Sequence, residues 1–131
     1  MDQRAVAVLG ASSEQSRYSN MAVRLLKEHG YQVIPVTPEI EAVEGIPAVP
    51  SLQGIKERVH TLTMYVNPRR GMEYLEEILD LKPRRVIFNP GSESDQLENL
   101  IAEAGIPVLR ACTLVLLKTG QFEKNFNERV L

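Results

Sequence analysis

The residues best suited to chemistry stand near the start of the chain: Gly10-Ala11-Ser12-Ser13, followed four residues later by Arg17. A glycine lets backbone come close to a ligand, and N–H groups at a tight turn before a helix favour an anion, phosphate above all. A large side chain at Gly10 would fill the place of the phosphate. The planar fork of Arg17 suits a pyrophosphate or a ribose phosphate. The plainer alternatives are an ordinary strand-to-helix turn and a solvated loop arginine.

Three further pairs follow apolar runs in the same way: Thr37-Pro38, Asn67-Pro68 and Pro90-Gly91. Their proline rings offer flat walls to an aromatic base, although prolines also end strands where no ligand binds. Arg69 and Arg70 open a helix on that side. Cations oppose the helix dipole there, so either one of them serves an anion or both are surface residues. Cys112, the one cysteine, falls just before the last helix, where a dipole activates thiols; the other reading is a small buried residue against the fifth strand. His29 and His60 have no cysteine or carboxylate at ligand spacing, so no metal site is proposed. No Ser-His-Asp or Cys-His grouping can be assembled, and binding without catalysis is the expectation.

These residues need elements to hold them. Arg4 to Leu9 reads as the first strand, stopping at Gly10, and a helical pattern begins near Ser19. Met21, Val23, Leu25 and Leu26 supply its apolar face, with Gly30 as the C-cap. Residues 31–36 form a second strand, in which Pro35 is awkward for an interior position. Residues 39–60 are irregular, with a short helix capped by Ser51. Strands follow at 61–66, 84–89 and 107–109, with helices at 69–81, from Ser94 to Ala104, and at 113–118.

Alternating strands and helices with short connections indicate an α/β fold with a doubly wound, parallel five-stranded sheet, Rossmann-like. Numbering the strands along the chain, the expected order is 3-2-1-4-5. Residues 1–120 read as a single domain and 121–131 as a polar tail. Phe122, Phe126 and Val130 recur there at helical spacing, suiting an amphipathic turn docked on this domain or on a second subunit.

Composition narrows the roles. Among 131 residues, 44% are hydrophobic, enough for one core, and a formal net charge of −2 gives no support to nucleic-acid or membrane-surface binding. A single cysteine and the lack of a signal or membrane-spanning pattern point to the cytoplasm. A dinucleotide fold of the G-x-G-x-x-G type is disfavoured, because Ser12 replaces the second glycine and Thr37-Pro38 stands where an acidic ribose ligand is wanted.

The chain resembles the small, single-domain CoA-binding proteins, which share the CoA-binding Rossmann domain of succinyl-CoA synthetase-like enzymes. The resemblance lies in Val8-Leu9-Gly10-Ala11-Ser12, in Arg17, and in Leu25 to Tyr31 running into Val33-Ile34-Pro35-Val36-x-Pro38. Pro50-Ser51-Leu52, Gly105-Ile106-Pro107-Val108 and Cys112 match further along. Relatives often carry Asn where this chain has Thr37, Asp where it has His60, and Trp-x-Gln-x-Gly where it reads Phe88-Asn89-Pro90-Gly91. The resemblance implies CoA or acyl-CoA as ligand, or another ADP-containing nucleotide. It places the pyrophosphate on the Gly10–Ser12 turn and the adenine near Pro38 and the end of the third strand. The catalytic histidine and nucleotide-activating domain of the synthetases have no counterpart here. Two rivals stand beside this reading: a nucleotide-cofactor enzyme using Cys112, and an interaction module, including a homodimer, that has lost its ligand.

Overall fold

The structure, a computed structural model, describes residues 4–123. Five parallel strands form the sheet: β1 (Ala5–Leu9), β2 (Gln32–Val36), β5 (Val59–Met64), β6 (Arg85–Phe88) and β7 (Val108–Arg110). Between β2 and β5 a small hairpin, β3 (Ala42–Val43) and β4 (Ile46–Pro47), and a 3-10 turn at Leu52–Gly54 replace a crossover helix. Helices α1 (Tyr18–Glu28), α2 (Pro68–Glu73), α3 (Leu75–Leu81), α4 (Asp95–Glu103) and α5 (Thr113–Lys118) complete the chain.

The side-chain alternation of β1 divides the core. Ala5, Ala7 and Leu9 pack with Leu62, Met64, Phe88, Ile78 and Leu97 beneath α3 and α4. Val6 and Val8 pack with Val23, Leu26, Ile87 and Leu116 beneath α1 and α5. A strand buried on both faces reads as a continuous apolar run, and every β1 residue is buried. The sheet is doubly wound, as expected.

The strand order differs from expectation. It runs β2-β1-β5-β6-β7, or 2-1-3-4-5 among the core strands, where 3-2-1-4-5 was expected. Pro35 supplies the physical reason. Gln32 and Val36 bond β1, through Gln32 N–H to Arg4 O and Gly10 N–H to Val36 O, so the nitrogen of Pro35 faces away from it. A neighbouring full strand would find no donor there. Instead only Val49 bridges this edge, accepting from Thr37 N–H at 2.9 Å and donating to Pro35 O at 3.0 Å. The third core strand therefore sits beside the first.

Two helices also depart from their expected spans. The stretch 69–81 divides into α2 and α3 at Tyr74, whose N–H bonds the closer Gly71 carbonyl at 3.0 Å. The helix expected after Ser51 shortens to one 3-10 turn, and the Leu52 N–H that starts it bonds Glu77 Oε1 at 3.1 Å in place of a Ser51 cap. The cap at Ser94 forms as expected, its hydroxyl accepting from Leu97 N–H at 3.2 Å.

Phe122 is 2% exposed. It meets Tyr31 edge-on, with ring centroids 5.2 Å apart, and the Arg85 guanidinium lies 4.6 Å from its ring centre. Phe126 and Val130 lie outside the described residues. Among the described residues, no helix is long and apolar enough to cross a membrane.

Candidate functional site

In the observed order the chain turns from β1 to β2 on one side and returns to β5 on the other, so the topological switch lies between the carboxyl ends of β1 and β5. Ligands of open α/β sheets bind at such a crevice. Two adjoining cavities occupy it, of about 570 Å³ and 310 Å³, and they share Gly10, Arg17, Tyr65, Val66 and Asn67.

The larger cavity brings together Gly10, Ala11, Ser12, Ser13 and Arg17 with Thr37, Pro38 and Asn67. The smaller one, beside the start of α1, adds Pro90 and Gly91. Pro68 lines neither cavity. It is the first residue of α2, where its fixed φ and missing N–H suit a helix start. The three prolines therefore do not form one wall: Pro38 belongs to the larger cavity and Pro90 to the smaller.

The loop after β1 differs in detail from a bare phosphate turn. The N–H groups of Gly10 and Ala11 both donate to Val36 O, at 3.0 and 3.3 Å. Those of Ser12 and Ser13 have no partner among the described residues. Gly10 has φ +90°, and a Cβ there would lie 2.9 Å from Tyr65 O. Glycine is thus required by the contact between the ends of β1 and β5, whether or not a ligand is bound.

Helix α1 has neither a side-chain cap nor an acidic residue in its first turn. Its initial N–H groups are left to be satisfied from the cavity side, and its dipole places positive potential there. By contrast, Asn67 caps α2 by accepting from Arg70 N–H at 2.9 Å.

Asn20 and Arg24, which the sequence reading passed over, hold this loop. Asn20 is fully buried. Its amide donates to Ser12 O and to Glu44 Oε2, both at 2.9 Å, and its oxygen accepts from Arg24 Nε at 2.8 Å. Arg24 also donates to Gln15 O at 2.9 Å. The loop is tied to α1 at Ser12 and Gln15, and Asn20 also links α1 to the β3–β4 hairpin.

Two arginines face the larger cavity. Arg17 pairs with Glu14 at 2.8 Å, with both side chains about two-thirds exposed. Such a surface pair is worth little, about 0–1 kcal/mol, so Arg17 is held to Glu14 only weakly. Arg70 lines the same cavity and Arg69 does not. Tyr74 joins Arg70 there; the spacing of Asn67, Arg70 and Tyr74 puts them on one helical face, the signal that would have found them.

Tyr65 stands between the cavities and lines both. Its phenolic oxygen is buried with no hydrogen bond among the described residues. Burial raises its pKa. Beneath it, Asn89 donates to Thr63 Oγ1 at 2.6 Å and Met64 O at 2.9 Å and accepts from Thr113 N–H at 2.8 Å. These bonds lock the turn carrying Pro90 and Gly91 to the end of β5.

Cys112 is half-buried at the start of α5 and lines neither cavity. His29, exposed at the end of α1, and His60, buried in β5, line neither cavity either. Among the described residues no three His, Cys, Asp or Glu side chains gather as a metal set.

Comparison with known proteins adds the following. A family model described as a CoA binding domain matches residues 4–118. A crystal structure of an uncharacterized protein is similar at 40% identity with a TM-score of 0.86, covering 93% of this chain and 100% of that one. The uncharacterized protein YneT of Bacillus subtilis is 26% identical over 104 residues, 79% of this chain and 77% of YneT. The fold also matches part of an acetyl-coenzyme A synthetase from Ca. Korarchaeum cryptofilum, in complex with phosphate and ADP, with a TM-score of 0.71 and 20% identity. That match covers 80% of this chain and 25% of the synthetase.

Proposed function

This chain belongs to the CoA-binding domain family, and from that premise we propose that it captures CoA or acyl-CoA reversibly, without catalysis, in the crevice between β1 and β5. One observation carries the proposal: the unpaired Ser12 and Ser13 N–H groups line the larger cavity, the uncapped start of α1 lines the smaller, and Arg17 belongs to both. That is where a pyrophosphate gains most from backbone donors and the helix dipole.

The larger cavity takes the adenosine, with Thr37 and Pro38 on one side and Tyr65 and Asn67 on the other. Arg17 and Arg70 hold the phosphates; each charge-assisted bond is worth about 1.5–3 kcal/mol. The smaller cavity takes the pantetheine arm past Pro90 and Gly91.

A thermal-shift titration with CoA, dephospho-CoA, ADP and NAD tests this. Ligand at a hundred times its dissociation constant adds about 2.7 kcal/mol, or about 10 °C in a domain of this size. CoA should shift Tm more than ADP, and Arg17→Ala should reduce the CoA shift. Equal shifts with CoA and ADP would reduce the ligand to its ADP part. No shift with any of the four would overturn the proposal.

A further inference from the structure

The smaller cavity bears on which CoA species the site accepts, an inference that rests on the CoA reading above. It is an open groove of about 310 Å³ in which Ser16, Ser19, Asn67 and Ser92 stand beside the apolar Tyr18, Val66 and Pro90. The hydroxyl and amide groups along this wall suit the two amides of a pantetheine arm.

No way down opens from the groove into the core. A Cβ on Gly10 would already touch Tyr65 O at 2.9 Å, and one on Gly71 would meet Leu97 Cδ2 at 3.1 Å. The end of β1 is therefore closed against the end of β5, and α2 against α4. Val8, Val23 and Leu26 are fully buried beneath α1. The rim, in contrast, is open: Tyr18 is 70% exposed, one of two large hydrophobic side chains so displayed among the described residues.

We propose that the arm lies along Tyr18 in this groove and leaves its thiol end in solvent, so that the site takes free CoA and its thioesters without reading the acyl chain. Tyr18 is then the residue that separates CoA from ADP. Its ring gives the arm an apolar body to lie against, and its exposure in the free protein is the surface the ligand covers.

Calorimetric titration with CoA, acetyl-CoA, butyryl-CoA, octanoyl-CoA and ADP tests both parts. Burying a chain would tighten binding about fourfold for each methylene. The expected result is a set of CoA-species affinities within about threefold of one another, all tighter than ADP, as an unburied chain requires. Tyr18→Ala, a surface change that leaves the core alone, should weaken every CoA species by about tenfold and leave ADP unchanged. A steady gain or loss with chain length, or an equal loss for ADP and CoA in the variant, would overturn this inference while leaving CoA binding intact. No binding of CoA at all would instead overturn the reading on which it rests.

Discussion

Replacing Gly10 with alanine separates what the fold asks of this position from what a ligand asks. The added Cβ would lie 2.9 Å from Tyr65 O, 3.0 Å from Val66 Cγ1 and 3.1 Å from the Tyr65 carbonyl carbon. Two of these are backbone atoms of a segment held to β1 by Tyr65 N–H to Leu9 O at 2.9 Å, so relief requires displacing the end of β5. Holding alanine at φ +90° costs about 1–2 kcal/mol, and the overlap adds about 1–3 kcal/mol as overpacking. The sum is about 2–5 kcal/mol, a loss of about 3–5 °C in Tm for each kcal/mol. Gly30 is the control: its φ is +86°, but a Cβ there meets nothing within 4 Å. Gly30→Ala therefore carries only the conformational part, about 1–2 kcal/mol. Urea unfolding followed by circular dichroism compares both variants with the parent chain. Gly10→Ala should be less stable than Gly30→Ala by at least about 1 kcal/mol. Equal losses would refute the argument that the ends of β1 and β5 meet too closely for any side chain.

Three further outcomes follow from the same geometry. Asn20→Ala strands the Ser12 carbonyl and Arg24, so it should cost about 2–3 kcal/mol in urea unfolding and weaken CoA binding by calorimetry; an unchanged affinity would show that the loop needs no tie. Burial, and then Arg4, Arg85 and Arg84, lower the pKa of His60 from 6.5 to about 4. Because the unfolded chain takes up a proton that the folded one refuses, this contribution is intact above pH 6.5 and is lost as pH falls towards 4. Stability measured at pH 5 should be about 2 kcal/mol below that at pH 7.5, and His60→Gln should flatten the difference. Phe122→Ala should cost about 3 kcal/mol in thermal unfolding, and a chain ending at Gly120 should lose at least as much; a shortened chain as stable as the full one would contradict the packing of Phe122 on Tyr31 and Arg85.

Much of the fold was legible because local signals agreed. Gly30 ends α1, Ser94 caps α4 and Pro68 starts α2, each where its backbone chemistry predicts. The strand order was misread although its evidence was visible. Pro35 is incompatible with an interior strand, and taken at its word it makes β2 an edge, which the 3-2-1-4-5 order forbids. The β3–β4 hairpin was passed over because its strands have two residues each. Its turn, Glu44-Gly45, carries positive φ at both positions, 51° and 78°, the signature of a tight hairpin.

Positions of most candidate residues at this edge followed from topology alone, since every strand's carboxyl end reaches it; Pro68, in α2, lines neither cavity. What holds them did not. Asn20 reads as a polar residue on an amphipathic helix, hence solvent-facing, whereas it is buried and supports the Ser12 carbonyl. Hydrogen bonds between residues 8 and 24 positions apart leave no periodic trace. The occupied amides of Gly10 and Ala11 were equally hidden, because their acceptor, Val36, belongs to the neighbouring strand.

Titration of isotopically labelled protein with CoA, followed by amide chemical shifts, tests the central claim most directly because it reports both binding and place. Saturable shifts should appear at Ser12, Ser13, Tyr18, Thr37 and Tyr65, around the β1–β5 crevice, with the amides of Leu52 and Leu81 unmoved. Shifts confined to a separate groove, lined by Leu52, Glu77 and Leu81, or none at millimolar CoA, would contradict it.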